Sequence, residues 1–254
     1  MIWDTHTGEA LYKLPHNHVV RAVAYPDKAM DMVATGGLEK KLRVWDIADH
    51  PKIDRSVSPA VIPLTSGFEI GEGTHTHPIK FICWANNPHT IITASHDTLR
   101  WFDFATRKLK HVVVLDGEIM SCEKFHVAPE HTSSANVGGG DSVMAVAAGL
   151  YVYFFTGKQC MDELARFKVN FKVASVAVDL IRWRFLAGEH PGTWGRIFNF
   201  RTGEELGKRL CLLCLEISAN SSNRDAQGSS WPHMVRRLLS RWGPFRHGFR
   251  GRYN

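Results

Sequence analysis

The chain has 254 residues, 44% of them hydrophobic, with 14 His, 5 Cys and a formal net charge of +6. That length permits one sizeable domain; the longest apolar runs are strand-sized and broken by charge, so neither a membrane helix nor a secretory signal is read. The charge is unevenly placed: residues 207–254 carry nine Lys or Arg against two Asp or Glu, whereas residues 1–206 carry 22 against 23, so the basic excess is no ground for a nucleic-acid partner.

Four segments alternate with the period of a half-buried strand and end in an aromatic residue followed by Asp or Asn. They are Met1-Ile2-Trp3-Asp4, Leu42-Arg43-Val44-Trp45-Asp46, Leu99-Arg100-Trp101-Phe102-Asp103 and Arg196-Ile197-Phe198-Asn199. Short hydrophilic turns follow, as Thr5-His6-Thr7-Gly8, Ala105-Thr106-Arg107 and Arg201-Thr202-Gly203. Trp3 and Trp45 are 42 residues apart, Trp45 and Phe102 57, and Phe102 and Phe198 96, which leaves room for two units. In chain order the predicted strands are 19–25, 32–35 and 42–45; then 79–84, 91–94, 99–102 and 111–115; then 120–125, 143–147 and 151–155; then 174–178, 185–187 and 196–200. A polar insertion at 128–141 reads as a mobile surface loop. An all-β repeat near forty residues predicts four-stranded propeller blades.

The pairs Trp3-Asp4 and Trp45-Asp46, with Asp97 in the turn Ser95-His96-Asp97-Thr98, resemble positions of the WD-repeat family. More narrowly, residues 3–25, the run Ala34-Thr35-Gly36-Gly37 and residues 201–206 resemble the serine/threonine kinase receptor-associated, or unr-interacting, branch of that family, a likeness over most of 1–206. The resemblance implies a seven-bladed closed propeller. This chain holds the end of one blade (1–14), further blades at 15–70, 71–116, 117–168 and 169–206, and a tail, so an incomplete propeller of four to five blades is expected. Its opening at a third-strand exit suggests an absent upstream segment, and two open sheet flanks suggest poor solubility.

The tail, 207–254, reads as non-native. Shifted by one base from Gln227 onward, Trp231-Pro232 must encode Gly, Met234-Val235 must encode Trp and Trp242-Gly243 must encode Gly. The remaining codons can complete a near-consensus WD blade. Gly207-Lys208 can be written as a splice donor and Asn223-Arg224 as an acceptor, and removing the intervening bases restores that frame. A retained intron followed by an out-of-frame exon is expected there, to be set aside from the fold.

His16, His18, His75 and His77 precede inner strands. By resemblance, such a His bonds a Ser or Thr, then the turn Asp, then the Trp of the next strand. His75 or His77 with Ser95 and Asp97 form a partial set, shortened because Phe102 stands where the Trp belongs. A metal pair in His75-Thr76-His77 lacks a nearby Cys, Asp or Glu to complete it. Asp46, Asp97 and Asp103 fit turns or strand exits rather than paired catalytic carboxylates. Gly138-Gly139-Gly140 is followed by a strand, unlike a phosphate loop. Cys211 and Cys214 form a CxxC without a second pair, and Cys83, Cys122 and Cys160 read as buried thiols suited to a reducing compartment. Trp45, Trp84, Trp101 and Trp183 read as packing residues, and Trp194, after Pro191-Gly192-Thr193, as the best exposed partner contact.

No catalytic, cofactor or metal site is assigned. Trp3, Asp4, His18, Trp45, Asp46, His75, His77, Ser95, Asp97, Phe102, Asp103 and Phe198 are structural repeat positions. The expected protein is a non-catalytic scaffold of a multiprotein complex, cytoplasmic and nuclear, with no membrane, small-molecule or direct nucleic-acid partner. By resemblance it would serve survival-of-motor-neuron and spliceosomal ribonucleoprotein assembly, or receptor serine/threonine kinase signalling. Propeller subunit i of translation initiation factor three, and an enzyme using the propeller channel, are the alternatives.

Overall fold

Strands covered on both faces need unbroken apolar runs, and the middle of each repeat supplies them. In a computed structural model, which describes residues 1–26, 31–47, 62–85, 89–126, 142–180, 182–192 and 194–210, these runs become the second strands of successive antiparallel sheets. The loop read at 128–141, the triple glycine 138–140, and residues 211–254 of the tail, with Cys211 and Cys214, lie outside the described residues. All described residues fall in the first of two units, Met1–Leu212.

A small sheet comes first: β1 (Ile2–Trp3) pairs antiparallel with β2 (Ala10–Lys13). The first blade orders β3 (Val20–Ala24), β4 (Met32–Gly37), β5 (Leu42–Asp46) and β7 (Phe68–Ile70). Between its last two strands, β6 (Ile62–Pro63) leaves the blade and lies parallel to β2, Tyr12 opposite Ile62. Blade two is β8 (Phe81–Ala85), β9 (Thr90–Ser95), β10 (Thr98–Asp103) and β11 (Leu109–Val114). Blade three is β12 (Ile119–His126), β13 (Ser142–Ala148), β14 (Tyr151–Thr156) and β15 (Asp162–Lys168). Blade four is β16 (Lys172–Asp179), β17 (Arg184–His190), β18 (Trp194–Asn199) and β19 (Glu205–Leu210). The fold is all-β, with no helix among the described residues, and its four four-stranded antiparallel sheets are consistent with the blades of a partial WD-repeat propeller.

The last strand continues through Leu210, four residues beyond the boundary drawn at 206; its backbone pairs with β18 from Phe198 to Trp194. Main-chain pairing at an outer edge demands little of side-chain identity, so composition there marked no stop. The outermost strands β7 and β15 also carry no sequence signal. Phe68–Ile70 is three residues long, and Asp162–Lys168 is mostly charged and exposed.

The core is a series of slabs between sheets rather than one centre. Tyr12, Val33, Trp45 and Leu64 fill the first; Ala34, Val44, Trp84, Ile91 and Phe102 the second. Trp101, Met144, Val146 and Phe155 lie in the third, and Val152, Phe154, Phe171, Phe185 and Phe198 in the fourth. Indole N–H groups clip one blade to the next: Trp84 donates to the Ala24 carbonyl (3.1 Å) and Trp101 to that of Gln159 (3.0 Å). A buried indole needs such an acceptor.

Candidate functional site

Asp4 and Asp103, and Asn199 in the fourth blade, are turn builders. Asp4 Oδ1 accepts from the His6 and Thr7 amides (2.8 and 3.1 Å), and Asp103 Oδ1 from the Thr106 amide and hydroxyl (2.7 and 2.8 Å). Asn199 does the same for Arg201 and Thr202 (2.8 and 3.2 Å). Backbone bonds close each turn, as from Gly8 to Asp4 and from Gly203 to Asn199, both at 2.9 Å. Amides aimed at its carboxylate hold Asp103 below the usual range, the Thr106 amide foremost. At the end of β5, the Asp46 carbonyl accepts from Ser66 Oγ (3.0 Å).

The histidine relay forms on His16 and on His75, one of the two candidates in its segment, with threonine as partner in place of Ser95. In the first blade His16, not His18, carries it: Nδ1–H donates to the Leu14 carbonyl (2.9 Å) and Nε2 meets the Thr35 hydroxyl (2.9 Å). Thr35 Oγ1 also accepts from Trp45 Nε1 (2.8 Å). His18 contributes only its amide, which together with that of Asn17 binds the Glu39 carboxylate. Burial raises the Glu39 carboxyl, but these amides and Arg43, 2.7 Å away, outweigh it and hold the group below its ordinary value.

In the second blade His75 Nε2 meets Thr93 Oγ1 (2.9 Å), not Ser95, and the imidazole packs on Phe102 with centroids 5.3 Å apart. Ser95 instead accepts from Arg100 (2.8 Å), and Asp97 binds Thr98 (2.8 Å) and faces His96 (3.3 Å). The physical reason is position along the strand: Thr93 lies opposite Arg100 as Thr35 lies opposite Arg43, while Ser95, of the same parity, sits at the hairpin corner opposite Thr98. Burial, with the Arg100 charge, drives the His75 pKa down to about 4. His77 points elsewhere and stacks on His96 at 4.7 Å, so the two histidines of 75–77 do not converge on one ion. No cluster of three His, Cys, Asp or Glu poised for a metal occurs among the described residues.

Trp45, Trp84, Trp101 and Phe198 are buried, and Phe198 stacks on Phe185 at 5.0 Å. Trp183 is half-buried beneath Arg201, 4.4 Å from its ring. Trp194 is 47% exposed at the start of β18, and Trp3 is 56% exposed in the first sheet. Val19, Val23 and Tyr25 add an exposed apolar row along β3 and its flanks. The sequence reading named these three only as strand, because apolar residues on both parities of 19–25 do not reveal which face is covered. A cavity of about 450 Å³ opens beside the first sheet, walled by Lys13, His16, Asn17, Arg43, Trp45 and Thr65. No described helix is long and apolar enough to cross a membrane.

No protein-family model matches the chain. Serine-threonine kinase receptor-associated protein of Gallus gallus is 23% identical over 205 residues, covering 81% of this chain and 50% of that protein. The proteins of the same name from Mus musculus and Homo sapiens are 28% identical over 105 residues, 41% of this chain and 25% of theirs. The chain thus spans about half the length, or less, of the curated relatives it matches. Blade topology, Asp-built turns and the His–Thr–Trp relay agree with this likeness, and the chain is similar to the serine-threonine kinase receptor-associated proteins.

Proposed function

We propose that the chain is a non-catalytic scaffold that holds proteins together, with receptor serine/threonine kinases as the first class of partner. The observation that carries this reading is the 205-residue likeness to a protein named for association with such receptors, borne by a rigid stack of blades. Rigid sheets present loops and edges at fixed spacing, and function on such a fold lives in surface sites. Exposed Trp194 is the assigned anchor, since aromatic side chains bury large area at low entropic cost. The direct test is calorimetric titration of the full chain with the cytoplasmic domain of a receptor serine/threonine kinase. Binding near micromolar Kd, weakened about tenfold by Trp194→Ala, is expected; absence of binding at about 100 μM protein would remove the kinase reading.

The finer assignment, to the survival-of-motor-neuron machinery of spliceosomal ribonucleoprotein assembly, is part of the same proposal and rests on the family resemblance. Co-sedimentation with that purified complex tests it separately, and tagged full chain in cells tests a cytoplasmic and nuclear location. Membership of translation initiation factor three predicts co-sedimentation with that factor instead. Turnover by the purified chain, lost in His75→Gln, would replace the scaffold with an enzyme.

A further inference from the structure

The seam between blades two and three holds a cluster of sulfur. Along β8, Cys83 lies opposite Ile92 and, with Phe81, turns toward blade three. Along β12, Cys122 lies opposite Val146 and turns back toward blade two. The two inner strands approach within 8 Å, Cα to Cα, and Cys83 Sγ lies 3.7 Å from Met144 Sδ across the seam. Cys83 is half-buried, whereas Cys122 is buried.

We infer that Cys83 and Cys122 are a modification site, joined by a disulfide across the blade seam when the protein meets a hydroperoxide. Cys83 is the more accessible thiol and reacts first. Its thiolate sulfur takes one oxygen as the O–O bond breaks, giving a sulfenic acid and one water from hydrogen peroxide. The Cys122 sulfur then attacks the Cys83 sulfur, the Sγ–Sγ bond forms, and the hydroxyl leaves with the Cys122 proton as a second water. Two thiols are oxidised, one peroxide is reduced to two waters, and no other reactant is needed. The neighbouring Cys83 thiol and burial hold Cys122 well above the ordinary thiol range, so the second step is the slow one and quickens with pH. The bond links the innermost strands of two blades and restrains the unfolded chain between them.

The experiment treats the reduced full chain with graded hydrogen peroxide under native conditions and maps peptides without reduction. A single Cys83–Cys122 linkage is expected, with a mass loss of two hydrogens, reversal by dithiothreitol and a higher unfolding temperature. Cys83→Ser should abolish the linkage, and because the wild-type map carries the result, failure of Cys122→Ser to fold does not affect it. Oxidation that stops at sulfinic or sulfonic acid on Cys83 would overturn the inference. So would native links to Cys160, Cys211 or Cys214, or links scattered among all 5 cysteines as in the urea-unfolded chain.

Discussion

Thr35 shows how much one hydroxyl can carry. Its oxygen serves both His16 and the buried Trp45, so Thr35→Val strands an imidazole nitrogen and an indole N–H together. Each stranded group costs about 1–3 kcal/mol, and Thr93→Val, which strands only His75, should cost roughly half as much. Urea denaturation of the two variants measures the difference; equal losses would mean that the Trp45 bond contributes nothing. His75 also ties stability to pH. Its folded pKa of about 4 lies below the unfolded 6.5, so the unfolded chain takes up the proton first on acidification. Its contribution is complete above pH 6.5 and declines as pH falls toward 4, by as much as about 3 kcal/mol. His75→Gln should flatten that part of the stability profile, read from unfolding midpoints at stepped pH. The repeat aromatics and Asp turns were legible in the sequence, whereas the identity of the relay members was not. Four histidines crowd two short segments with the same two-residue spacing, and only their position along the folded chain selects His16 over His18 and Thr93 over Ser95.

Within the strands and hairpins, position decides the sign of a glycine substitution. Lys40 holds φ of 59° in the turn between β4 and β5, a conformation that costs a side-chain-bearing residue about 1–2 kcal/mol. Lys40→Gly should therefore stabilise the chain by about 1 kcal/mol, seen as a higher urea midpoint at unchanged slope. Gly71 shares that backbone region at φ 60°, but a Cβ there would lie 2.1 Å from the Phe102 ring. Gly71→Ala should accordingly cost about 2 kcal/mol or more. Element existence was readable where strands are buried on both faces, as along Thr90–Ser95 and Ser142–Ala148. Of the outer strands, Leu109–Val114 was read at 111–115 from its valines, whereas Phe68–Ile70 was silent because it is three residues long and Asp162–Lys168 because it is mostly charged. The crossing of Ile62–Pro63 onto the first sheet was equally silent, since two residues carry no period.

The array as a whole stands on its inter-blade slabs, because each blade buries its faces only against a neighbour. Phe154 lies in the slab between blades three and four, edge-on to Phe185 at 5.4 Å and to Phe200 at 4.7 Å. Phe154→Ala should cost about 3–5 kcal/mol. Trp194→Ala, at an exposed site, should leave stability within about 0.5 kcal/mol while weakening partner binding. Thermal unfolding of both variants beside the kinase-domain titration separates the packing aromatic from the binding one. The reverse pattern would assign Trp194 to the fold and end its role as an anchor.

Alternation, aromatic–Asp endings and repeated turns were enough to establish an all-β repeat of blade-like units, because these features are local and recur wherever a half-buried strand leaves its sheet. Which histidine meets which threonine, which tryptophan is solvent-exposed and which cysteines face one another emerged only in the folded chain. Those pairings depend on register and on the packing of one sheet against the next, over separations that no local period records.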